Sequence, residues 1–249
     1  MMRIHERILV VGSGDTGFSM TNPGDCTVYL LECGEGPGAP CVLIDAGCGM
    51  ETELIVEEIA KSGHQPEDVQ FLLLTHGHGD HSGGAAAMSK LCHADVYAMM
   101  DTARYVSEGD GKALAVEEAI LAGVYDEGFR IPPCQVYPLE DGQILKAGDL
   151  QIQARLMEGH CSGHGCYEVQ INGETVLFAG DSIFCGGKIS VQAIWDCDLQ
   201  KYIETCRMLE QLKPDLLLPA HGGIALKRGW NQIEPAMRQI RSLKLPENF

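Results

Sequence analysis

The sequence predicts a layered, mixed α/β domain, and three observations lead to this prediction. Short apolar, β-branched runs end at glycine- or proline-rich breaks, as strands in a packed sheet do. Segments with helical periodicity lie between these runs. The second half of the chain repeats this style without a sequence repeat. Because 249 residues can bury one large core and no linker divides them, we expect a single domain over residues 1–249.

The first half of the chain alternates predicted strands with predicted helices. The helix at 51–61 has apolar residues at helical spacing and ends before Gly63. A helix rich in small residues is predicted at 83–91. The stretch 102–133 is less regular around a helix at 114–123, and we expect a helical insertion or lid there. The strands are predicted at 7–11, 27–32, 41–45, 69–75 and 95–99.

The second half continues with predicted strands at 135–139, 151–157, 167–171, 175–179 and 215–219. Asn172 and Gly173 lie between two of them, which predicts a hairpin with a tight turn. A helix at 198–212 stops before Pro214, and a last helix is predicted at 231–243.

Charge and cysteine usage narrow the classes of partner. The net charge of −17 and the pI near 4.8 predict repulsion from nucleic acid and from anionic lipid, so we expect neither as a partner. The eleven cysteines contain no Cys-x-x-Cys pair, and no signal peptide or membrane-length apolar run is visible. We therefore expect a reduced, cytoplasmic protein that acts on a small molecule.

Metal-ligating residues follow the predicted strands. His76, His78, Asp80 and His81 come directly after an apolar run, with glycines between them that permit tight backbone curvature. Such residues are too polar to be buried unpaired, and imidazole and carboxylate groups suit zinc and similar ions. Each of three further residues follows another strand-like run beside a glycine: His160, Asp181 and His221. The recurrence predicts a metal site at the strand ends.

In this order, the motif residues resemble the metallo-β-lactamase fold superfamily of hydrolases, over about residues 8–223. The resemblance implies a four-layer αβ/βα sandwich with two mixed β-sheets and a site at one edge. It implies two divalent metal ions, with Zn²⁺ expected first and Fe or Mn as alternatives. It also implies that Asp45 orients the loop that carries His76, His78, Asp80 and His81, which we call the histidine loop. The first ion would be held by His76, His78 and His160, the second by Asp80, His81 and His221, with Asp181 bridging them.

The ions imply a hydrolytic reaction. A hydroxide held between two metals is a nucleophile near neutral pH, so no serine or cysteine nucleophile is needed. We expect it to attack a small-molecule ester, thioester, lactone or lactam, as in the glyoxalase II, lactonase and B3-lactamase-like branches. Asp80 has a second predicted role, as a catalytic group that transfers a proton to the leaving group. No basic set after His221 resembles the glutathione-binding residues of glyoxalase II.

Two alternatives remain open at this point. One is a mononuclear iron oxidoreductase of the persulfide dioxygenase type, which would use His76, His78, His160 and Asp181. The other is a phosphodiesterase or ribonuclease of the same fold. The net negative charge of the chain disfavours it, because nucleic acid is also anionic. The sequence specifies neither the substrate nor the oligomeric state.

Several residues near the motifs have two interpretations. We expect His164 to be structural or substrate-facing, Cys161 to be a small buried residue, and Lys188 to be either a substrate contact or a solvated loop residue. The aromatic residues Tyr105, Tyr167 and Trp195 are interpreted as pocket walls or as packing residues. The histidines expected at the surface or in loops are His5, His64 and His93.

Overall fold

A computed structural model describes residues 1–36 and 38–249. Its larger sheet contains seven strands among these residues, in the spatial order in which they follow along the chain. The first three pairs of neighbouring strands are antiparallel, and the remaining three pairs are parallel. The strands are β1 (Met2–His5), β2 (Ile8–Gly12), β3 (Val28–Glu32), β4 (Cys41–Ile44), β5 (Val69–Leu73), β6 (Asp95–Met99) and β7 (Val136–Leu139).

The smaller sheet has the spatial order β12-β11-β10-β9-β8. Strands β11 and β12 run parallel, and the other neighbours run antiparallel. Asn172 and Gly173 both have positive φ, at 51° and 84°, which confirms the predicted tight hairpin between β10 and β11. The strands are β8 (Ile144–Ala147), β9 (Leu150–Leu156), β10 (Gly165–Ile171), β11 (Glu174–Gly180) and β12 (Leu216–Pro219).

Helices cover the outer faces of both sheets. Helices α1, α3 and α4 contact the larger sheet, and α7 contacts β12 of the smaller sheet and packs against α6. Among the described residues, no helix combines the length and the apolar character needed to cross a bilayer. The helices are α1 (Thr52–Lys61), α2 (Gly79–Ser82), α3 (Ala85–Cys92), α4 (Met100–Glu108), α5 (Val116–Leu121), α6 (Leu199–Leu212) and α7 (Trp230–Arg241).

The central core lies between the two sheets, where apolar side chains from both pack together. Tyr29 and Phe178 meet edge to face here, with ring centroids 5.5 Å apart. The buried Tyr167 hydroxyl donates to the Leu74 carbonyl at 2.6 Å, so this tyrosine packs in the core and does not line a pocket. The order helix, sheet, sheet, helix confirms the predicted four-layer sandwich.

Strands β1 and β8 and helices α2 and α4 were absent from the sequence prediction, and one predicted helix is shorter. Strands β1 and β8 are edge strands with partly exposed side chains, so neither contains an uninterrupted apolar run. Helix α4 follows β6 without a break. The predicted helix at 114–123 is confined to α5, because Ala115 adopts a φ of +54° directly before it.

His64 lies in a loop, as expected, but it is not at the surface. Its side chain is buried, and its Nε2 lies 2.9 Å from Glu32 Oε1 while its Nδ1 lies 3.4 Å from Cys41 Sγ. Glu32 is also held by Arg3. This network lies at the end of the larger sheet where β3 ends and β4 begins, away from the metal-ligating motifs.

Candidate metal centre

Seven predicted ligand residues converge at one edge of the two sheets. The strands β5, β9, β11 and β12 all end at this edge, and each is followed by a loop that carries one motif. The structure therefore brings together residues that lie far apart in the chain, from His76 to His221. The converging residues are His76, His78, Asp80, His81, His160, Asp181 and His221.

Three histidines form the first cluster. One ring nitrogen each of His76, His78 and His160 lies within 4.8 Å of the others, and the His160 Nε2–His78 Nδ1 distance is 3.0 Å. In the absence of an ion, two ring nitrogens at this distance can hydrogen bond to each other, and both can also face a shared cation. Three imidazoles with one open side are a donor set typical of catalytic zinc.

The second cluster contains Asp80, His81 and His221. The Asp80 Oδ2 lies 3.1 Å from His221 Nε2 and 3.4 Å from His81 Nε2. Asp181 lies between the two clusters: its Oδ1 is 3.5 Å from both His81 Nε2 and His221 Nε2, and its Oδ2 is 3.6 Å from His160 Nε2. One carboxylate therefore touches both donor sets, which is the position that the predicted bridging role requires.

Asp45 supports the histidine loop from below. Its φ of +63° places a buried carboxylate under the loop, where Oδ1 accepts the Thr75 backbone N–H at 2.7 Å. Its Oδ2 lies 2.9 Å from both the Thr75 hydroxyl and His81 Nδ1. A proton on His81 Nδ1 satisfies this carboxylate and leaves the Nε2 lone pair directed at the cluster.

Similar outer contacts hold two other histidines. His160 Nδ1 donates to the Ser190 carbonyl at 2.9 Å, and His221 Nδ1 lies 2.7 Å from the Thr16 hydroxyl. In both rings Nε2 is left as the atom that faces the cluster. Such contacts fix the tautomer and the ring orientation of metal-binding histidines.

His164 has a structural role next to the centre. Its Nε2 accepts the Asp181 backbone N–H at 3.0 Å, and the ring is completely buried. Burial and the neighbouring His160 hold the pKa of His164 well below its ordinary value, so the ring is neutral and Nε2 is free to accept. His164 therefore positions the loop that carries Asp181.

Buried polar atoms without partners test whether the donor set fits a metal. Among the described residues, His76 Nε2, His81 Nε2 and Asp181 Oδ1 are buried and make no hydrogen bond. A buried polar atom without a partner costs free energy, so native proteins rarely contain three in one place. All three atoms belong to the two clusters. A divalent cation would satisfy all of them, so the residues fit the metals that the sequence predicts.

The two clusters differ in electrostatics. Burial holds the pKa of His76 and His78 well below the ordinary value, and the neighbouring imidazoles lower it further by a smaller amount. Both rings are therefore neutral. Burial acts in the same direction on His81, but Cys26, followed by the carboxylates of Asp80, Asp45 and Asp181, outweighs it and holds the His81 pKa well above the ordinary value. Burial would raise the pKa of Asp80, but His81 and His221 hold it well below its usual range.

A cleft of about 900 Å³ opens over the two clusters. Its floor includes His78, Asp80, Asp181 and His221. One wall comes from residues 114–125, within the stretch that the sequence predicts as an insertion or lid. The other wall includes Phe184 and Phe249, whose rings stack with centroids 4.4 Å apart. A separate cleft of about 570 Å³ lies beside Arg3 and Glu32, far from the ligand residues.

Sequence reasoning missed three residues of this cleft, namely Glu118, Phe184 and Phe249. Phe184 lies close after Asp181 in the chain, and that proximity was the one available signal. Phe249 reaches the cleft because residues near 248 pair with Ile189, a contact between distant segments that no local pattern indicates.

Other predicted neighbours of the site lie outside the ligand clusters. Cys161 is buried, as expected. Lys188 pairs with Glu247 at 3.4 Å and does not line the cleft. The Trp195 indole N–H donates to the Ala113 carbonyl at 3.3 Å, and its ring meets Tyr105 edge to face. Trp195 and Tyr105 therefore contact each other outside the cleft, with Trp195 54% exposed.

Comparisons with known proteins agree with this geometry. The sequence model of the metallo-beta-lactamase superfamily matches residues 21–221. The chain therefore belongs to the metallo-beta-lactamase superfamily. A solved B3 metallo-beta-lactamase, described as the first with an active-site glutamic acid, superposes with a TM-score of 0.72 over 97% of this chain and 88% of that chain. It is 22% identical, so this likeness concerns the fold.

The curated relatives are longer proteins, and this chain matches only part of each. The chain is 27% identical to lactamase-like protein aptB of Emericella nidulans over 89% of this chain and 58% of that protein. It is 25% identical to an atrochrysone carboxyl ACP thioesterase of Aspergillus fumigatus over 76% of this chain and 36% of that protein. It is 29% identical to a hydroxyacylglutathione hydrolase of an Enterobacter species over 59% of this chain and 44% of that protein. The chain spans about half the length of these relatives.

Proposed function

We propose that this protein is a hydrolase that uses two divalent metal ions, most simply zinc, to cleave a small-molecule ester, thioester, lactone or lactam. The observation on which the proposal depends is that Asp181 lies between two donor clusters, and that three buried atoms of these clusters have no hydrogen-bond partner among the described residues. The ions would supply an activated water as nucleophile and would polarise the carbonyl under attack.

The ligand assignment is part of the proposal. His76, His78 and His160 would hold one ion, Asp80, His81 and His221 would hold the other, and Asp181 would contribute to both. Asp45, Thr16 and the Ser190 carbonyl hold the rings of His81, His221 and His160 in their orientations.

Asp80 has a second task in the proposed reaction. Its side chain is 24% exposed on the floor of the cleft, whereas those of His81 and Asp181 are nearly inaccessible. A carboxylate at this position can take a proton from the attacking water and transfer it to the leaving group. The neighbouring residues 102–133 form the proposed lid of the single domain over residues 1–249.

A thioester is our first choice among the substrates. Two of the relatives are named as a thioesterase and as a hydrolase of an acylglutathione, and this supports acyl transfer from sulfur to water. The protein would share the reaction with them, while the acyl group and the thiol depend on the cleft.

The test combines metal analysis with a substrate panel of a thioester, a lactone, a chromogenic β-lactam and a phosphodiester. We expect turnover of a thioester by protein loaded with zinc. The Asp181→Ala variant should lose metal and turnover and keep its circular dichroism spectrum. The control is Asp95→Ala, an exposed residue at the start of β6, which should match the wild type.

Three results would contradict the proposal. Full activity of Asp181→Ala would exclude the bridging role. One iron per chain with oxygen uptake on a thiol persulfide would establish the dioxygenase alternative. Turnover of the phosphodiester alone would replace the proposed reaction with that of a phosphodiesterase.

A further inference from the structure

The cleft has an uneven charge distribution away from the metal-ligating residues. Among its described lining residues there is neither lysine nor arginine. Asp25 and Glu118 are the acidic lining residues besides the proposed ligands. A pocket that binds a carboxylate or a phosphate usually provides arginine or lysine side chains for it. This lining therefore disfavours an anionic substituent.

The wall that faces the ligands is apolar. Residues 114–125 contribute a series of aliphatic side chains, and Phe184 and Phe249 form a stacked pair on the other side. Leu114, Val116 and Phe184 are buried, whereas Val124 and Phe249 are 64% and 50% exposed. Exposed apolar surface inside a concave site is typical of a surface that binds an apolar ligand. The aliphatic residues of the wall are Leu114, Ala115, Val116, Ala119, Ala122 and Val124.

Glu118 places a negative charge inside this apolar wall. Its Oε2 is buried and has no hydrogen-bond partner among the described residues. Asp196 lies close behind: burial raises the pKa of its carboxyl, and the charge of Glu118 adds to the rise. The Asp196 Oδ1 is also buried and unpartnered in the described part of the chain. Glu118 therefore contributes a negative charge to this wall, and the described lining residues include no lysine or arginine to compensate it.

We propose that the cleft selects substrates whose arm along residues 114–125 is apolar and uncharged, and that Glu118 excludes substrates with an anionic arm. This inference rests on the proposed hydrolase function and specifies its substrate class. The selected substrate is a thioester or ester with a bulky aromatic or aliphatic substituent. Thioesters of anionic carriers such as glutathione are disfavoured.

The test uses pairs of thioesters that differ only by an amide in place of a carboxylate of the same size. The first pair carries the charge on the acyl group, as the 4-carbamoylphenylacetyl and 4-carboxyphenylacetyl thioesters of N-acetylcysteamine. The second pair carries it on the thiol, as the phenylacetyl thioesters of 3-mercaptopropionamide and 3-mercaptopropionate. We expect kcat/KM to favour the amide by about tenfold in at least one pair, because like charges repel in a partly dry cleft.

Two variants on the same helix assign the selectivity. Glu118→Gln removes the charge from the cleft, and we expect the amide-to-carboxylate ratio to fall to about threefold. Glu117→Gln removes the same charge from an exposed neighbour and should leave the ratio at the wild-type value. Equal or faster turnover of the carboxylate in both pairs would overturn the inference. The same ratio in both variants would also overturn it.

A binding measurement separates this inference from the proposed function. Thioether analogues of both pairs resist hydrolysis, and calorimetry gives their affinities for the zinc-loaded protein. Preferential binding of the uncharged analogue without turnover of any thioester would support the inference and contradict the proposed reaction. Turnover of the thioesters with no preference in rate or affinity would contradict the inference and leave the reaction standing.

Discussion

Replacement of Asp45 by asparagine tests how strongly the metal centre depends on the carboxylate below it. Asparagine tolerates the φ of +63° at this position, so the backbone should remain in place. Its single side-chain oxygen can still accept the Thr75 N–H, which Asp45 accepts at 2.7 Å. Its amide N–H₂ then faces His81 Nδ1, 2.9 Å away, where a donor is already present.

The expected cost follows from this conflict. The wild-type contact between His81 and a carboxylate is a buried hydrogen bond to a charged group, which contributes about 1.5–3 kcal/mol. The His81 ring can avoid the clash by moving its proton to Nε2, but that atom then no longer offers a lone pair to the cluster. Removal of such a partner lowers metal affinity by about 10–100-fold. We therefore expect loss of about 1.4–3 kcal/mol of binding free energy, mainly at the cluster of Asp80, His81 and His221.

The assay is competition of the zinc-loaded protein with a chelator, combined with urea unfolding of the metal-free form. We expect weaker binding of one of the two ions and a lower free energy of unfolding. Asp149→Asn is the matched control: this carboxylate is about half exposed and pairs with Arg7, and a surface ion pair contributes about 0–1 kcal/mol. Unchanged affinity for both ions in Asp45→Asn would refute the argument.

Two further predictions concern packing and pH. Gly84→Ala places a methyl group 2.1 Å from the Ala46 carbonyl oxygen, so we expect the free energy of unfolding in urea to fall by at least about 2 kcal/mol. Gly223→Ala has open space around its new methyl group and should match the wild type. Equal unfolding midpoints of the two variants would contradict this prediction. On dialysis from pH 8 towards pH 5, the cluster of Asp80, His81 and His221 should lose its metal first. Burial acts to lower the pKa of His81 and His221, but the neighbouring carboxylates hold it above the ordinary value, so protons compete for these rings at a higher pH than for His76 and His78. Simultaneous loss of both ions would contradict that order.

The sequence predicts the central strands and their functional ends because their signals are local. Strand β5 is a compact apolar run followed at once by its ligands, and β11 and β12 have the same form. These strands are covered on both faces, so their residues are continuously apolar and easily recognised. Strands β1 and β8 lack that signal, since most of their side chains are exposed or only partly buried.

Residues that act through distant contacts were beyond sequence reasoning. Phe249 enters the cleft through pairing with Ile189, and Glu118 meets Asp196 only after the chain has folded. The burial of the loop residue His64 was not predicted, because its partners, Glu32 and Cys41, are 32 and 23 positions away. By contrast, the role of Asp45 was inferred from its motif, and the structure places it under the histidine loop.

The most direct test of the two-metal proposal is the number of transition-metal ions bound per chain, measured by elemental analysis of protein purified without added metal. We predict about two ions per chain in the wild type, because two donor clusters share one carboxylate. We predict about one ion in His221→Ala, which removes a donor from one cluster and leaves the other complete. Fewer than one ion per wild-type chain, or the same content in both proteins, would contradict the account.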